Sequence, residues 1–265
     1  MTSKAQIIVT IGPASEKEYI LEAMLKHGMD IVRFNFAWSD FGKRESQLET
    51  IRRLEQKHGK KIPIIQDLPG PRKSSGQGHS YDARVSGVTE QDRKSLVFGA
   101  EKNIDWVALS FVGSANDVEA YRREISNCRG RQKIIAKIER KAALENIYAI
   151  INASDAIMIA RGDLGREMPL EQIPFIQADI ISKCKAAGKP VITATEILLS
   201  MVRNERPTRA EVTDVANAIL QGSDALMLSE ETSVGEHPVE AVTAMEKIIL
   251  EAERHMAGKP AFRPL

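Results

Sequence analysis

Lys137 and Glu139 close the apolar run Ile134-Ile135-Ala136, with Ile138 between them. In an extended chain residues two apart share a face, so one strand end projects an ammonium and a carboxylate together. The arrangement recurs along the sequence. Arg33 and Asn35 point one way from Ile31–Phe36 while Phe34 and Phe36 point the other, and Thr193 and Thr195 are expected to share a face. Asp67 closes Ile62–Leu68, and Asp163 follows the run Ile157-Met158-Ile159-Ala160. One charge at a strand end is simply where a strand reaches water. Several strands ending this way, with same-face pairs, describe groups converging on one site able to polarise an oxygen-rich substrate.

Glu139 and Asp163 belong to consecutive strand ends, which lie roughly 5 Å apart if the strands pair directly. Two bare carboxylates at that separation repel, so one takes a proton or a cation lies between them. The five histidines, His27, His58, His79, His237 and His255, fall outside every strand candidate. An all-oxygen site points to Mg²⁺ or Mn²⁺, which takes one or two carboxylates and leaves positions for substrate oxygens. Gly162, Gly165 and the turn after them offer backbone amides to an anion beside that metal. Arg161 is expected to pair with local carboxylates.

Arg161-Gly162-Asp163 also matches the tripeptide read by adhesion receptors, which requires an exposed loop on a secreted protein. Lys and Arg number 37 against 36 Asp and Glu, a net charge of +1. That balance carries no electrostatic footprint for nucleic acid or an anionic membrane. Cys128 and Cys184 are the only cysteines among 265 residues, too few for a disulfide framework, and read as reduced thiols. No apolar stretch approaches a membrane span, and the amino terminus lacks the apolar core of a signal peptide. The expectation is a cytoplasmic protein with a small-molecule substrate, without nucleic-acid or membrane partners. Homo-oligomers through outer helices are compatible with it. The adhesion reading loses its compartment.

The elements that position these groups alternate. Strand candidates are Gln6–Ile11, Ile31–Phe36, Ile62–Leu68, Trp106–Phe111, Ile134–Glu139, Ala156–Gly162, Pro190–Ile197 and Ala225–Thr232. Helical periodicity follows nearly every one. Ser15 with Glu18 and Thr208 with Glu211 have capping-box spacing, Thr89 with Asp92 a weaker version, and Pro238 suits a first helical turn. Gly28, Gly188 and Gly222 stand where helices should end. Alternation implies a parallel sheet, and eight units imply a single (β/α)₈ TIM barrel spanning residues 1–265. An open doubly wound sheet is the competitor, but no Gly-x-Gly-x-x-Gly follows the first strand. Pro71–Gly87, polar and without either period, reads as a long irregular loop on the active-site face.

The stretches IIVTIGPAS, VRFNF, IIAKIE, IARGDLG, KPVITATEILLSM and RPTRAEVTDVANAILQGSDALMLSEETSVGEHPVEAV closely resemble the barrel domain of pyruvate kinases. The similarity covers nearly the whole chain. It implies a Mg²⁺ or Mn²⁺ site at Glu139 and Asp163, with Lys137 and Arg33 handling the phosphoryl or enolate charge of phosphoenolpyruvate. It implies that Ala160, Arg161, Gly162 and Asp163, through amides near Gly162 and Asp163, hold the substrate carboxylate with Thr195. Thr195 would also serve proton delivery at the substrate methylene carbon.

Departures from the family pattern are equally specific. Pro71–Gly87 stands in place of a lid domain, and no regulatory domain is expected after the barrel. The family's potassium site retains Asn35 and Asp67 but has Ala37 and Leu68, so potassium use is not expected. Trp38 replaces a histidine, and Pro69-Gly70-Pro71-Arg72-Lys73-Ser74 replaces Lys-Gly-Pro-Glu-Ile-Arg, which displaces the arginine that serves the nucleotide. Glu230 replaces Gly and Glu196 replaces Gln. The enolpyruvate half of the site is intact and the nucleotide half is altered. The sequence therefore favours a metal-dependent enzyme working through a pyruvate enolate, of aldolase, C–C lyase or decarboxylase type. The alternatives are a minimal pyruvate kinase and a non-catalytic metabolite-binding barrel.

Overall fold

The computed structural model describes residues 2–38, 40–75, 78–85, 87–256 and 262–265. Its strands are β1 (Gln6–Thr10), β2 (Met29–Asn35), β3 (Ile64–Leu68), β4 (Arg72–Ser75), β5 (Gly78–Tyr81), β6 (Trp106–Leu109), β7 (Lys133–Ile138), β8 (Ala156–Ala160), β9 (Val191–Ala194) and β10 (Ala225–Leu228). Eight of them, rich in Ile and Val, form a closed barrel in the order β1-β10-β9-β8-β7-β6-β3-β2. Neighbours in the barrel are parallel, as the intervening helices require. The barrel expected from the sequence is the fold.

Each barrel strand is largely buried on both faces. Ile8, Ile31, Ile65, Ala108, Ile135, Met158, Ile192 and Met227 fill the barrel interior. The alternate residues, among them Val32, Phe34, Ile64, Val107, Ile134 and Ile157, pack outward under the helices. Leu265 packs beneath the interior cluster, its amide donating to Gln6 Oε1 at 2.8 Å. The amino-terminal end of the barrel is thus covered, and polar groups collect at the other.

Helix boundaries follow capping chemistry. Thr208 and Glu211 make the reciprocal capping box, and Pro238 opens the helix Pro238–Arg254. Thr89 accepts from the Asp92 amide, whereas the Asp92 carboxylate turns to Tyr121 and Gly70 instead. Ser15 and Glu18 do not form the expected box: the helix begins at Glu18 with Lys17 at its cap, and Ser15 Oγ accepts from the Gly12 amide. Gly28, Gly188 and Gly222 all have positive φ, at 118°, 69° and 108°.

Several strands end earlier than expected. After Ala160 the chain turns at once into the helix Arg161–Glu167, and Glu230–Ser233 is a helical turn rather than strand. Pro71–Gly87 is not wholly irregular: β4 and β5 pair antiparallel, Arg72 opposite Tyr81 and Lys73 opposite Ser80. Backbone pairing carries this hairpin, so its sequence shows no apolar alternation. Tyr81 docks it, with its ring 6.0 Å from that of Phe111 and 3.6 Å from the Arg140 guanidinium carbon. Residues 76, 77 and 86 of this segment, and the side chains of Trp38 and Ser74, lie outside the described residues.

Candidate active site at the barrel mouth

The interior apolar layer stops one strand pitch below the mouth. Moving up two residues from Ile31, Ile65, Ala108 and Ile135 reaches Arg33, Asp67, Ser110 and Lys137, and two further residues reach Glu139. Period-two alternation thus converts a hydrophobic layer into a charged one without leaving the same face. These side chains are nearly inaccessible: Lys137 is 7% exposed, and Asp67 and Glu139 are 2% exposed.

Lys137 Nζ donates to Asp67 Oδ1 at 3.2 Å and to Ser110 Oγ at 2.9 Å, and lies 2.9 Å from Glu139 Oε1. Arg33 Nε donates to Asp67 Oδ2 at 2.8 Å and its Nη1 to Thr10 Oγ1 at 2.9 Å. Glu139 Oε2 accepts from the Phe111 amide at 2.6 Å, and Phe111 adopts a φ of 61°. Two cations and two anions therefore interlock. Burial opposes the Lys137 charge, but Asp67 and Glu139 outweigh it and hold the ammonium above the usual lysine range. Burial also opposes the charge of Asp67, yet Arg33 and Lys137 hold that carboxyl below its usual range. The mouth presents a charged ammonium and a charged guanidinium in low dielectric, where each acts strongly on a nearby oxyanion.

Arg161 departs from expectation. It reaches beyond local carboxylates to Asp214 on the helix Arg209–Gln221, with Nη1 donating to Oδ1 at 2.7 Å. Its Nη2 donates to the Thr195 carbonyl at 3.0 Å. Thr193 and Thr195 do not share a face. Thr193 hydrogen-bonds Ser223 at 2.6 Å and is fully buried, whereas Thr195 lies past the end of β9 with φ 75° and lines the mouth. The left-handed turn at Thr195 and Glu196 breaks the alternation. Gly162 accommodates that turn, since a Cβ there would lie 2.6 Å from Thr195 Cγ2.

Arg33, Asp67, Lys137, Glu139 and Thr195 line one cavity of about 680 Å³, together with Thr10, Asn35, Ala160, Gly162, Asp163 and Glu196, whereas Arg161 is not part of its lining. Asn35 Oδ1 accepts from the Ala37 amide at 2.9 Å, and its register partner across the ladder is Asp67. Asp163 is the third residue of the helix Arg161–Glu167 and pairs with Arg166 at 3.3 Å. It is therefore not a strand neighbour of Glu139, and strand spacing does not set their separation. Among the described residues no three Asp, Glu, His or Cys side chains gather into a self-sufficient cation site. The donor set nonetheless fits a hard divalent ion: two carboxylates face one cavity, and each oxygen of Glu139 retains a lone pair beyond its present contact.

Sequence reasoning missed Ser110, Thr10 and Phe111. Ser110 was legible as the next inward position after Ala108. The role of Phe111 comes from its backbone amide and carries no side-chain signal.

The fold and site define a (β/α)₈ barrel whose mouth holds a cavity lined by buried, interlocked charged groups. The family model for the pyruvate kinase barrel domain matches residues 2–82 and 73–242, and the chain belongs to that family. Pyruvate kinase of Sporosarcina psychrophila is 34% identical over 334 aligned positions, covering 94% of this chain and 57% of that protein. The Clostridium acetobutylicum pyruvate kinase is 34% identical over 336 positions, covering 96% and 71%, and that of Thermococcus litoralis is 34% identical over 333, covering 95% and 70%. This chain thus spans little more than half of the first of these relatives. Each alignment is longer than the 265 residues here, so the relatives carry additional sequence inside the matched region. No helix among the described residues is long and apolar enough to cross a membrane.

Proposed function

We propose that this barrel binds phosphoenolpyruvate or pyruvate and stabilises the enolate between them, and that its overall reaction is phosphoryl transfer between phosphoenolpyruvate and a nucleoside diphosphate. The observation that carries the proposal is the Lys137 ammonium, buried at the mouth yet kept charged by Asp67 and Glu139. A group so placed stabilises negative charge that develops on an oxygen during reaction, without reorganisation of its surroundings. Arg33, held through Asp67 and Thr10, offers a second positive charge to the phosphoryl or carboxylate oxygens. The amides of Gly162 and Asp163 open a helix and lack intrahelical partners, so they can donate to the substrate carboxylate. Thr195 would move the proton at the methylene carbon.

Glu139 and Asp163 would hold Mg²⁺ or Mn²⁺, which when bound supplies Lewis-acid stabilisation to the substrate oxygens. The relatives bear the name pyruvate kinase, which supports the kinase alternative over the lyase or decarboxylase chemistry favoured from the sequence. One observation keeps the enolate-only reading in play: the chain carries the short hairpin β4–β5 in the segment expected to stand in place of a lid domain.

Two NMR experiments separate these readings. Pyruvate in deuterated buffer with Mg²⁺ reports enolate formation as loss of its methyl signal. Phosphoenolpyruvate with ADP and Mg²⁺ reports phosphoryl transfer as ATP and pyruvate. Exchange without ATP formation would leave the enolate-only reading. Neither signal above the free-metal rate would remove both and leave a binding barrel.

A further inference from the structure

The hairpin β4–β5 leans on two residues that hold the charged cluster. At its entry Gly70 has φ 62°, and a Cβ there would lie 2.8 Å from the Ser110 carbonyl oxygen. At its exit the Tyr81 ring lies 6.0 Å from that of Phe111, tilted by 47°. Ser110 and Phe111 directly follow β6, and each serves a charged group of the mouth. Ser110 Oγ accepts from Lys137 Nζ at 2.9 Å, and the Phe111 amide donates to Glu139 Oε2 at 2.6 Å.

Phe111 is strained. Its φ of 61° puts a bulky residue in the left-handed region, which persists only where neighbours hold it. Arg140, next in the chain after Glu139, supplies one hold: its Nη1 donates to the Phe111 carbonyl at 3.2 Å. A Cβ on Gly113 would come within 2.9 Å of that nitrogen, so the glycine keeps room for the guanidinium. Tyr81 covers the guanidinium in turn, with its ring centroid 3.6 Å from the Arg140 guanidinium carbon in a cation–π contact. One side chain of the hairpin thus touches both the strained residue and the group that restrains it. Within the hairpin Tyr81 stands opposite Arg72, which lines the cavity, and the Asp82 amide donates to the Pro71 carbonyl at 2.9 Å.

An amide that donates to one carboxylate oxygen orients the other, and such outer partners of a metal ligand govern affinity. We propose that Tyr81 is a positioning residue for the metal site. Docked on Arg140 and Phe111, it fixes the amide that aims Glu139, so the seating of the hairpin sets the affinity for a divalent cation. The proposal rests on the reading of Glu139 as a metal ligand. It adds that a segment outside the barrel, supplying no ligand of its own, controls that ligand.

The test titrates wild type, Tyr81→Phe and Tyr81→Ala with Mn²⁺ by calorimetry, and follows the Phe111 amide proton of the metal-free proteins by NMR. Tyr81→Ala should weaken Mn²⁺ about tenfold or more, the usual effect of losing an outer partner of a metal ligand. Tyr81→Phe should stay within about twofold of wild type, because the ring face makes the cation–π contact. In the metal-free protein the Phe111 amide should exchange with solvent about fivefold faster or more in Tyr81→Ala, and at the wild-type rate in Tyr81→Phe. A hairpin that only adds stability would lower the Tm of Tyr81→Ala and leave its Mn²⁺ affinity unchanged, which overturns the proposal. Equal weakening in Tyr81→Phe overturns it as well. Should Tyr81→Ala not fold, Arg140→Met removes the guanidinium from the same contact, and wild-type Mn²⁺ affinity there overturns it. If wild type itself does not bind Mn²⁺, the metal reading of Glu139 fails, and the Phe111 amide then decides: wild-type exchange in Tyr81→Ala rejects the positioning role.

Discussion

Arg161 Nη2 donates to the carbonyl of Thr195 across 3.0 Å, and Thr195 is held there at a φ of 75°. A β-branched residue in the left-handed region is strained by about 1–3 kcal/mol and persists only where its surroundings over-determine it. Asp214 fixes Arg161, and Arg161 fixes Thr195. Arg161 is therefore a positioning residue for the hydroxyl proposed to move the proton. Arg161→Leu should lower the rate of pyruvate methyl exchange about 10–100-fold with little change in KM, since misplacement of a reacting group acts on the chemical step. Arg161→Lys, which keeps one donor, should recover part of that loss. A rise in KM with unchanged kcat would contradict the assignment.

Gly162 and Gly165 should respond in opposite ways to alanine. A Cβ at Gly162 would lie 2.6 Å from Thr195 Cγ2, whereas one at Gly165 would meet nothing within 4 Å. Gly162→Ala should cost about 1–3 kcal/mol through overpacking and slow exchange by moving Thr195. Gly165→Ala, inside the helix Arg161–Glu167, should be neutral or stabilising by up to about 1 kcal/mol. Thermal melts of the two variants check this directly.

The barrel was legible because period-two burial and eight alternating units leave few topologies. Arg33, Asp67, Lys137 and Glu139 were legible for the same reason, each lying an even number of residues above an interior Ile. Thr195 was placed on the wrong logic: alternation cannot anticipate a positive φ at a β-branched residue, which tertiary contacts with Arg161 and Gly162 impose. The hairpin β4–β5 escaped notice because main-chain pairing and one docked aromatic, Tyr81, hold it rather than an apolar face. The partner of Arg161 lies 53 residues away on another helix, a separation no local pattern encodes.

Asp163 and Glu139 should differ as metal ligands when altered singly. Asp163→Asn should weaken Mn²⁺ strongly and cost less stability than Glu139→Gln, because its ion pair with Arg166 reaches a largely exposed guanidinium and such pairs contribute little. Glu139→Gln should weaken Mn²⁺ and also destabilise, because Glu139 holds Lys137 and the Phe111 amide as well. Titration with Mn²⁺ beside a denaturation curve distinguishes the two. Wild-type Mn²⁺ affinity in Asp163→Asn would remove that residue from the metal site.

Asp92 supplies a pH test of the scaffold under the mouth. It is fully buried, and burial raises its carboxyl above the usual range despite the Tyr121 hydroxyl at 2.6 Å and the Gly70 amide at 3.3 Å. The folded state therefore holds this proton more tightly than the unfolded chain, whose Asp titrates near 3.9. Stability from this group is present below that value and is lost as pH rises through the raised folded value. Asp92→Asn removes the penalty, so the stability of the variant relative to wild type should grow as pH rises from about 4 through the raised folded value. Denaturant midpoints across that range measure it, and a difference independent of pH would reject the mechanism.

Lys137 should carry both chemistry and stability, and the two can be read separately. Lys137→Met removes the ammonium from between Asp67, Glu139 and Ser110, at 3.2, 2.9 and 2.9 Å. Loss of a preorganised charge at a developing oxyanion costs about 10²–10³ in rate, so methyl exchange should fall by that order while pyruvate still binds. The same change leaves Asp67 with Arg33 alone and Glu139 with the Phe111 amide, a broken buried network worth about 3–5 kcal/mol. Lys137→Met combined with Glu139→Gln removes the uncompensated carboxylate, and should regain part of the stability without regaining the rate. The raised folded value of Lys137 fixes the pH window: its stabilising contribution is complete below the unfolded lysine range near 10.4 and is lost as pH climbs through the folded value above it. Between about pH 6 and 9 the stability difference between wild type and Lys137→Met should therefore be flat. If exchange in Lys137→Met equals that of wild type, the ammonium does not stabilise the enolate and the proposed reaction fails with it.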